Sequence, residues 1–411
     1  MFEGIAIRGG QSNFDRNIDI GSFAEALLFY QNVHIILDRS NISSLVIGIG
    51  IDNLRLLLDG EFCSASFMRD NSGVHTQQIT GTGLSDHGFV SFELGSSDGK
   101  KKGLSNREHI IDSLLRAKNT EIPRGKIERL SERITVRSSK DLSIDSIGPL
   151  QSARTDLDDT DYLRTTVAKL LSLWVPEYEL RPQDFIKVRS RGERFLIDTN
   201  LDFDRLNSFY HQRVPPSHSS ITPALLVERV LSTRFDMAFA LKYGTDIIVS
   251  ELSSELMQLR IKGLLERRIS SASNLARFED MIIPNTKSIR EAINSGDLVF
   301  SDFLKLLEEA QKFKQWLKNV PPDVDLVDTY YKEISKKQWV DRLPTRVSRF
   351  SLFTLGGLGL DALGLGGLGT ATGVMLSTAD AFLVDRMLGG WKPNQFVEGS
   401  LMKALSRKES E

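Results

Sequence analysis

Six histidines, one cysteine and a scatter of carboxylates are the residues of this 411-residue chain from which catalysis or metal binding would have to be built. His34, His75, His87 and His109 stand far apart in sequence. His211 and His218 are seven residues apart across Pro215-Pro216. No Cys pair and no H-E-x-x-H helix accompanies them, so the spacing does not describe a zinc site. The expectation is that no metal and no cofactor is required. His34 lies inside the apolar run Val33-His34-Ile35-Ile36-Leu37 and reads as a core histidine satisfied by hydrogen bonds. Cys63 has no nearby histidine to activate it and reads as a small core residue.

Three other patterns invite a chemical reading. Gly81-Thr82-Gly83-Leu84-Ser85-Asp86-His87-Gly88 is glycine-rich, but it lacks the Gly-Lys-Ser/Thr ending of a phosphate loop and joins two strand-like runs, as a hairpin does. Asp184-Phe185-Ile186-Lys187, with Asp198 further on, has the residue types of a nuclease centre at loose spacing. Lys100-Lys101-Lys102 is basic, yet no aromatic platform is interleaved with it, and a nucleic-acid partner is not expected. Catalytic residues are therefore assigned to none of these positions, although a cryptic activity in the N-terminal region stays open as a third class.

The elements around these residues follow from periodicity. Ser22-Phe23-Ala24-Glu25 fits a capping box opening a helix through Ala26-Leu27-Leu28-Phe29-Tyr30, apolar on every side and hence buried. Val33 to Leu37 reads as a strand, Leu45 to Gly50 and Asn53 to Leu58 as short helical pieces, and Phe62 to Phe67 and Phe89 to Leu94 as alternating strands. The polar run from Gly95 to Gly103 marks a boundary. Beyond it helices dominate, with Arg194 to Asp198 as an isolated strand. Thr222-Pro223 starts a helix to about Leu241, and Glu251 to Ser270 reads as another. Phe303, Leu306, Leu307, Ala310, Phe313, Leu317 and Val320 form one apolar stripe, predicting a single amphipathic helix over Ser301 to Lys318 that stops at Pro321-Pro322.

Composition changes sharply near the C-terminus. Ten of the 31 glycines lie between Gly356 and Gly390. Gly369, Gly373, Ser377 and Ala381 recur every four residues, which on a helix makes a face of small residues that another backbone can approach closely. Eighteen uncharged residues separate Asp361 from Asp380. As a helix they would span about 27 Å, just short of the roughly 30 Å hydrocarbon core. Glycine and threonine add little transfer energy, so two readings stay open: a hairpin packed in water, and one that enters lipid under a trigger. Trp391 and Lys392 have the residue types of a membrane-interface anchor.

The run from Ile18 to Tyr30, and the tail Asp380 to Arg386 with Gly390-Trp391-Lys392-Pro393-Asn394-Gln395-Phe396, resemble bacterial proteins with a glycine-zipper C-terminal hairpin. Such tails are similar to those of membrane-acting phage-defence or toxin-like effectors. The resemblance implies a non-enzymatic effector or sensor with a conditionally membrane-active hairpin; the alternative is a soluble scaffold or adaptor using the hairpin as an interaction surface. A protein partner or homo-oligomer is expected under either. Net charge of −2, a lone cysteine and the lack of a basic, apolar leader at Met1 to Arg8 fit a cytoplasmic protein, at the inner membrane only when triggered. The fold class expected is α+β: a small α/β domain over 1–100, a mostly helical body over 101–345, and the glycine-rich hairpin with a docking tail over 346–411.

Overall fold

The structure, a computed structural model, describes residues 3–9, 17–79, 84–93, 104–116, 122–143, 147–215, 219–243, 246–248, 256–257, 259, 273–279, 281–282, 288–320, 325–335 and 392–405. It is a mixed α+β protein, as its sequence indicates. Two compact units divide it, one built from 2–272 with 287–304, the other from 273–286 with 305–411.

The first unit is organised by a five-stranded parallel sheet. Its strands are β1 (Gly4–Ile7), β2 (Asn32–Leu37), β3 (Ser64–Met68), β6 (Thr135–Arg137) and β9 (Asp246–Ile248), in the order β6-β3-β2-β1-β9. The near-continuous apolar runs of β1 and β2 are those of strands buried on both faces. Between β1 and β2 lies α1 (Ile20–Phe29); α2 (Ile42–Ile49) and α3 (Ile51–Asp59) lead to β3. Residue 100, the expected end of the first domain, falls inside this unit. The sheet is completed by β6 and β9, and a short strand recruited across more than a hundred residues leaves no periodic signature of its own.

The second sheet is antiparallel, β4-β5-β8-β7, from β4 (Asp70–Gln78), β5 (Ser85–Glu93), β7 (Ile186–Arg191) and β8 (Arg194–Thr199). The last four residues of the Gly81–Gly88 run are the start of β5, which pairs antiparallel with β4 from Gln78 opposite Ser85. The run from Arg194 is not isolated: β8 pairs with both β5 and β7. Helices α4 (Asn106–Leu115), α5 (Arg124–Ser131), α6 (Pro149–Asp158), α7 (Thr160–Trp174), α8 (Phe203–Arg213) and the 21-residue α9 (Pro223–Tyr243) fill the rest, with α10 (Ile289–Asn294) joining from later in the chain. One core contains Ala6, Ile36 and Met68 from the parallel sheet, Phe89 and Phe195 from the antiparallel one, and the buried face of α9.

Two local expectations need correction. The first helix is capped by Asp19, whose carboxylate accepts from the Ser22 backbone N–H at 2.6 Å, while Ser22 itself is buried within the helix. Burial pushes the Asp19 carboxyl up, but that hydrogen bond, Arg290 and Asn294 more than reverse it, so it stays ionised at the helix start. The Ser301–Lys318 stripe is carried by two helices, α11 (Phe300–Glu309) and α12 (Gln311–Lys318), broken at Ala310. Every residue of the stripe is buried. The break changes the backbone without changing which side chains face inward. The Glu251–Ser270 helix falls almost wholly outside the described residues.

Candidate functional site

The expected helix-packing face of Gly369, Gly373, Ser377 and Ala381, and Trp391 of the expected interface anchor, lie outside the described residues; Lys392 lies inside them. What the structure does describe is how both ends of the intervening chain are held. On one side α13 (Leu326–Ser335) ends where that chain begins; on the other, Lys392 leads into α14 (Pro393–Phe396). Pro393 occupies the first helical position, where its missing N–H is harmless. A π-helical turn, Val397–Leu401, and a last helical turn, α15 (Met402–Leu405), follow.

The tail is docked by aromatic side chains. Phe396 stacks on Phe313 of α12, ring centroids 5.1 Å apart at 30°. Phe313 stacks on Trp316 at 5.6 Å, and Trp316 meets Tyr330 of α13 edge-on at 6.2 Å. Phe278 closes the cluster against Tyr330 at 5.4 Å. Each such pair adds roughly 0.5–1.5 kcal/mol beyond the area it buries. Phe396, Val397 and Leu401 are buried, so the tail is part of this unit's core. The cluster also gathers acids. Burial raises the Glu398 carboxyl above the usual carboxylate range; burial and then the Glu398 charge raise the hydroxyls of Tyr330 and Tyr331. The Tyr330 hydroxyl and the Asn394 side-chain oxygen are buried with no hydrogen-bond partner among the described residues. The described tail, Lys392 to Leu405, is thus joined to α12 and α13 through aromatic side chains.

In the other unit the chemistry candidates are held by structural bonds. Both ring nitrogens of His34 have partners, Nδ1 at 2.8 Å from the Ser64 hydroxyl and Nε2 at 2.8 Å from the Ser66 hydroxyl, and the ring stacks on Tyr243 at 3.9 Å. Burial, and then the Arg137 charge, push its pKa down to about 4. His87 shares a hydrogen bond with Thr76 at 2.9 Å, and His211 one with Ser220 at 3.0 Å. Asp184 is buried and accepts from the Arg181 backbone N–H and guanidinium, which hold its carboxyl below the usual range although burial acts to raise it. Asp198 pairs with Arg189 at 2.6 Å. The structure gives these acids structural partners rather than a common centre with Lys187. Among the described residues no three His, Cys, Asp or Glu gather in metal-binding geometry.

One grouping was not read from the sequence. Arg8, Arg39, Arg69 and Arg137 stand at the carboxyl ends of the neighbouring strands β1, β2, β3 and β6. Arg8 pairs with Asp236 of α9 and lies over Phe239, 5.1 Å from the ring centroid. Arg39 pairs with Asp112 at 3.1 Å and Arg69 with Glu93 at 3.1 Å. His109, 1% exposed, has its Nε2 3.7 Å from the same Glu93; burial lowers its pKa. The only sequence signal was an arginine within two residues of the end of each apolar run, at Ile7-Arg8, Leu37-Asp38-Arg39, Met68-Arg69 and Val136-Arg137.

Comparison with known proteins finds no family model, no curated protein and no solved structure that matches this chain. Among the described residues, no helix is long and apolar enough to cross a membrane.

Proposed function

We propose that this chain is a non-enzymatic bacterial effector whose folded body anchors the glycine-rich segment between α13 and α14 and presents it to a membrane when triggered. One observation carries the reading: α14 packs against both α12 and α13, so the chain leaves and re-enters the same aromatic cluster. Ends held together are what a hairpin requires, and a hairpin can enter a bilayer from one side without moving the body through it. The four-residue stripe Gly369, Gly373, Ser377, Ala381 supplies the close-packing face such a hairpin needs. The proposed setting is the cytoplasm, with inner-membrane attack in anti-phage defence as the output, and self-association through the stripe as the partner contact.

Flotation tests this. The full-length protein, expressed in bacteria and fractionated before and after phage challenge, should move from the soluble to the membrane fraction on challenge. A chain with residues 350–390 replaced by a Gly-Ser linker of equal length should stay soluble in both. A full-length protein that stays soluble under challenge, and instead co-elutes with a second soluble protein only when 350–390 are intact, would establish the scaffold alternative.

A further inference from the structure

A cavity of about 270 Å³ opens directly after β6, in the first unit. Its wall is formed by the 3-10 turn Ser139–Leu142, the start of α6 and Phe89 of β5. Two of its lining residues are cations, Lys140 and Arg154, and among the described residues that line it none is a carboxylate. Ser143 and Gln151 add neutral donors. The N-cap of α6 is Gly148, so no side chain caps that helix, and its first N–H groups and positive dipole end lie along the wall. Phe89 supplies an apolar side.

The wall is built from a fixed part and an open part. The Ser139 N–H and hydroxyl both donate to Asp70, the N–H at 2.9 Å, and Ser91 donates to the same carboxylate at 2.7 Å. Asp70 is therefore the positioning residue: it pins the turn that carries Lys140. Arg154 gives one of its five N–H groups to the Glu193 carbonyl, which fixes the guanidinium at the rim. The cavity lies beyond the carboxyl end of β6, the edge strand of the parallel sheet.

We propose that this cavity binds a small phosphate monoester, with Lys140 and Arg154 on the phosphate and Phe89 against the carbon skeleton. Charge favours an anion: two cations line the cavity, and the Asp70 carboxylate behind its wall is already held by Ser139 and Ser91. Size selects the skeleton, since sites for drug-sized ligands run from about 300 to 1,000 Å³ and this one is smaller. The ligand proposed is therefore a three-carbon phosphate rather than a nucleoside triphosphate. This inference stands on the α/β unit alone and does not depend on the membrane reading.

Isothermal titration of the full chain with glycerol 3-phosphate, inorganic phosphate, glycerol and ATP tests it. The expected order is glycerol 3-phosphate tightest, inorganic phosphate weaker, ATP no tighter than inorganic phosphate, and glycerol without binding. Lys140 and Ser143 are both exposed, so Lys140→Glu and Ser143→Phe should leave the melting of the unliganded protein unchanged. Each should weaken glycerol 3-phosphate at least about tenfold, the loss of one charge-assisted contact. If Ser143→Phe lowers melting, Lys140→Glu alone decides. The proposal is overturned by no heat from either phosphate up to about 10 mM, a range far above ordinary metabolite affinities, by ATP binding tighter than glycerol 3-phosphate, or by binding that Lys140→Glu leaves intact.

Discussion

The backbone N–H of Gly21 donates to the Asn294 side-chain oxygen at 2.9 Å, joining the second residue of α1 to the last residue of α10 across 273 positions. The two helices come this close because residue 21 has no side chain. A Cβ there would sit 2.3 Å from the Arg290 carbonyl oxygen and 2.8 Å from the Asn294 amide nitrogen. Gly21→Ala should therefore push α10 off α1 and lower stability by at least about 1–3 kcal/mol, the usual cost of overpacking. Urea denaturation of the purified variant checks this, and an unchanged midpoint would refute the close approach.

Asp156, 1% exposed, pairs through both carboxylate oxygens with the Arg234 guanidinium, tying α6 to α9. Removing one partner of a buried pair strands the other charge. Asp156→Ala should cost about 3–5 kcal/mol. The double variant Asp156→Leu with Arg234→Met should recover most of the loss, because nothing charged is then left buried. Thermal melting of the three proteins measures it.

His34 makes stability depend on pH in a defined window. Its folded pKa is depressed to about 4 from an ordinary value of 6.5. Between those values the unfolded chain binds the proton and the folded one does not, so stability falls as pH drops from about 6.5 to about 4 and levels off below. The span corresponds to about 3 kcal/mol at full protonation of the unfolded state. His87 and His109, also lowered first of all by burial, act in the same direction. His34→Gln should flatten much of that slope while keeping bonds to Ser64 and Ser66. Denaturation midpoints from pH 7 to pH 4 would reveal an equally steep slope in the variant if another group were responsible.

Gly373→Leu tests the stripe itself. In an inserted assembly it should abolish membrane association while leaving the melting of the body unchanged. In a hairpin packed in water it should instead lower solubility and cost at least about 1–3 kcal/mol. No change in flotation, solubility or melting would mean that Gly373 lies on no packing face.

Much of the architecture was legible because period and burial are local. Val33 to Leu37 could only be a buried strand, and the stripe from Phe303 to Val320 named its inward face correctly even though two helices carry it. Leu27 and Leu28 are wholly buried, as an all-round apolar helix demands. Less legible were features that depend on a partner far along the chain. Asp19 rather than Ser22 caps the helix through a bond only three residues long, a choice between two good N-cap residues. The partners that then brace Asp19, Arg290 and Asn294, come from far along the chain.

The amino-acid sequence by itself determined the mixed class, several of the helices, four of the nine described strands, the inward face of the Phe303–Val320 stripe, and the change of composition after Leu352, all of which follow from the types of near neighbours. Tertiary structure decided the strand order β6-β3-β2-β1-β9, the placing of β9 beside β1 rather than at the far edge, the line of arginines along the strand ends, and the cavity that brings Lys140 to Arg154. Those relations join segments separated by tens to hundreds of residues. Which pairs meet is chosen by burying apolar surface over the whole unit against the entropy of closing long loops, and no window of sequence contains both sides of that balance.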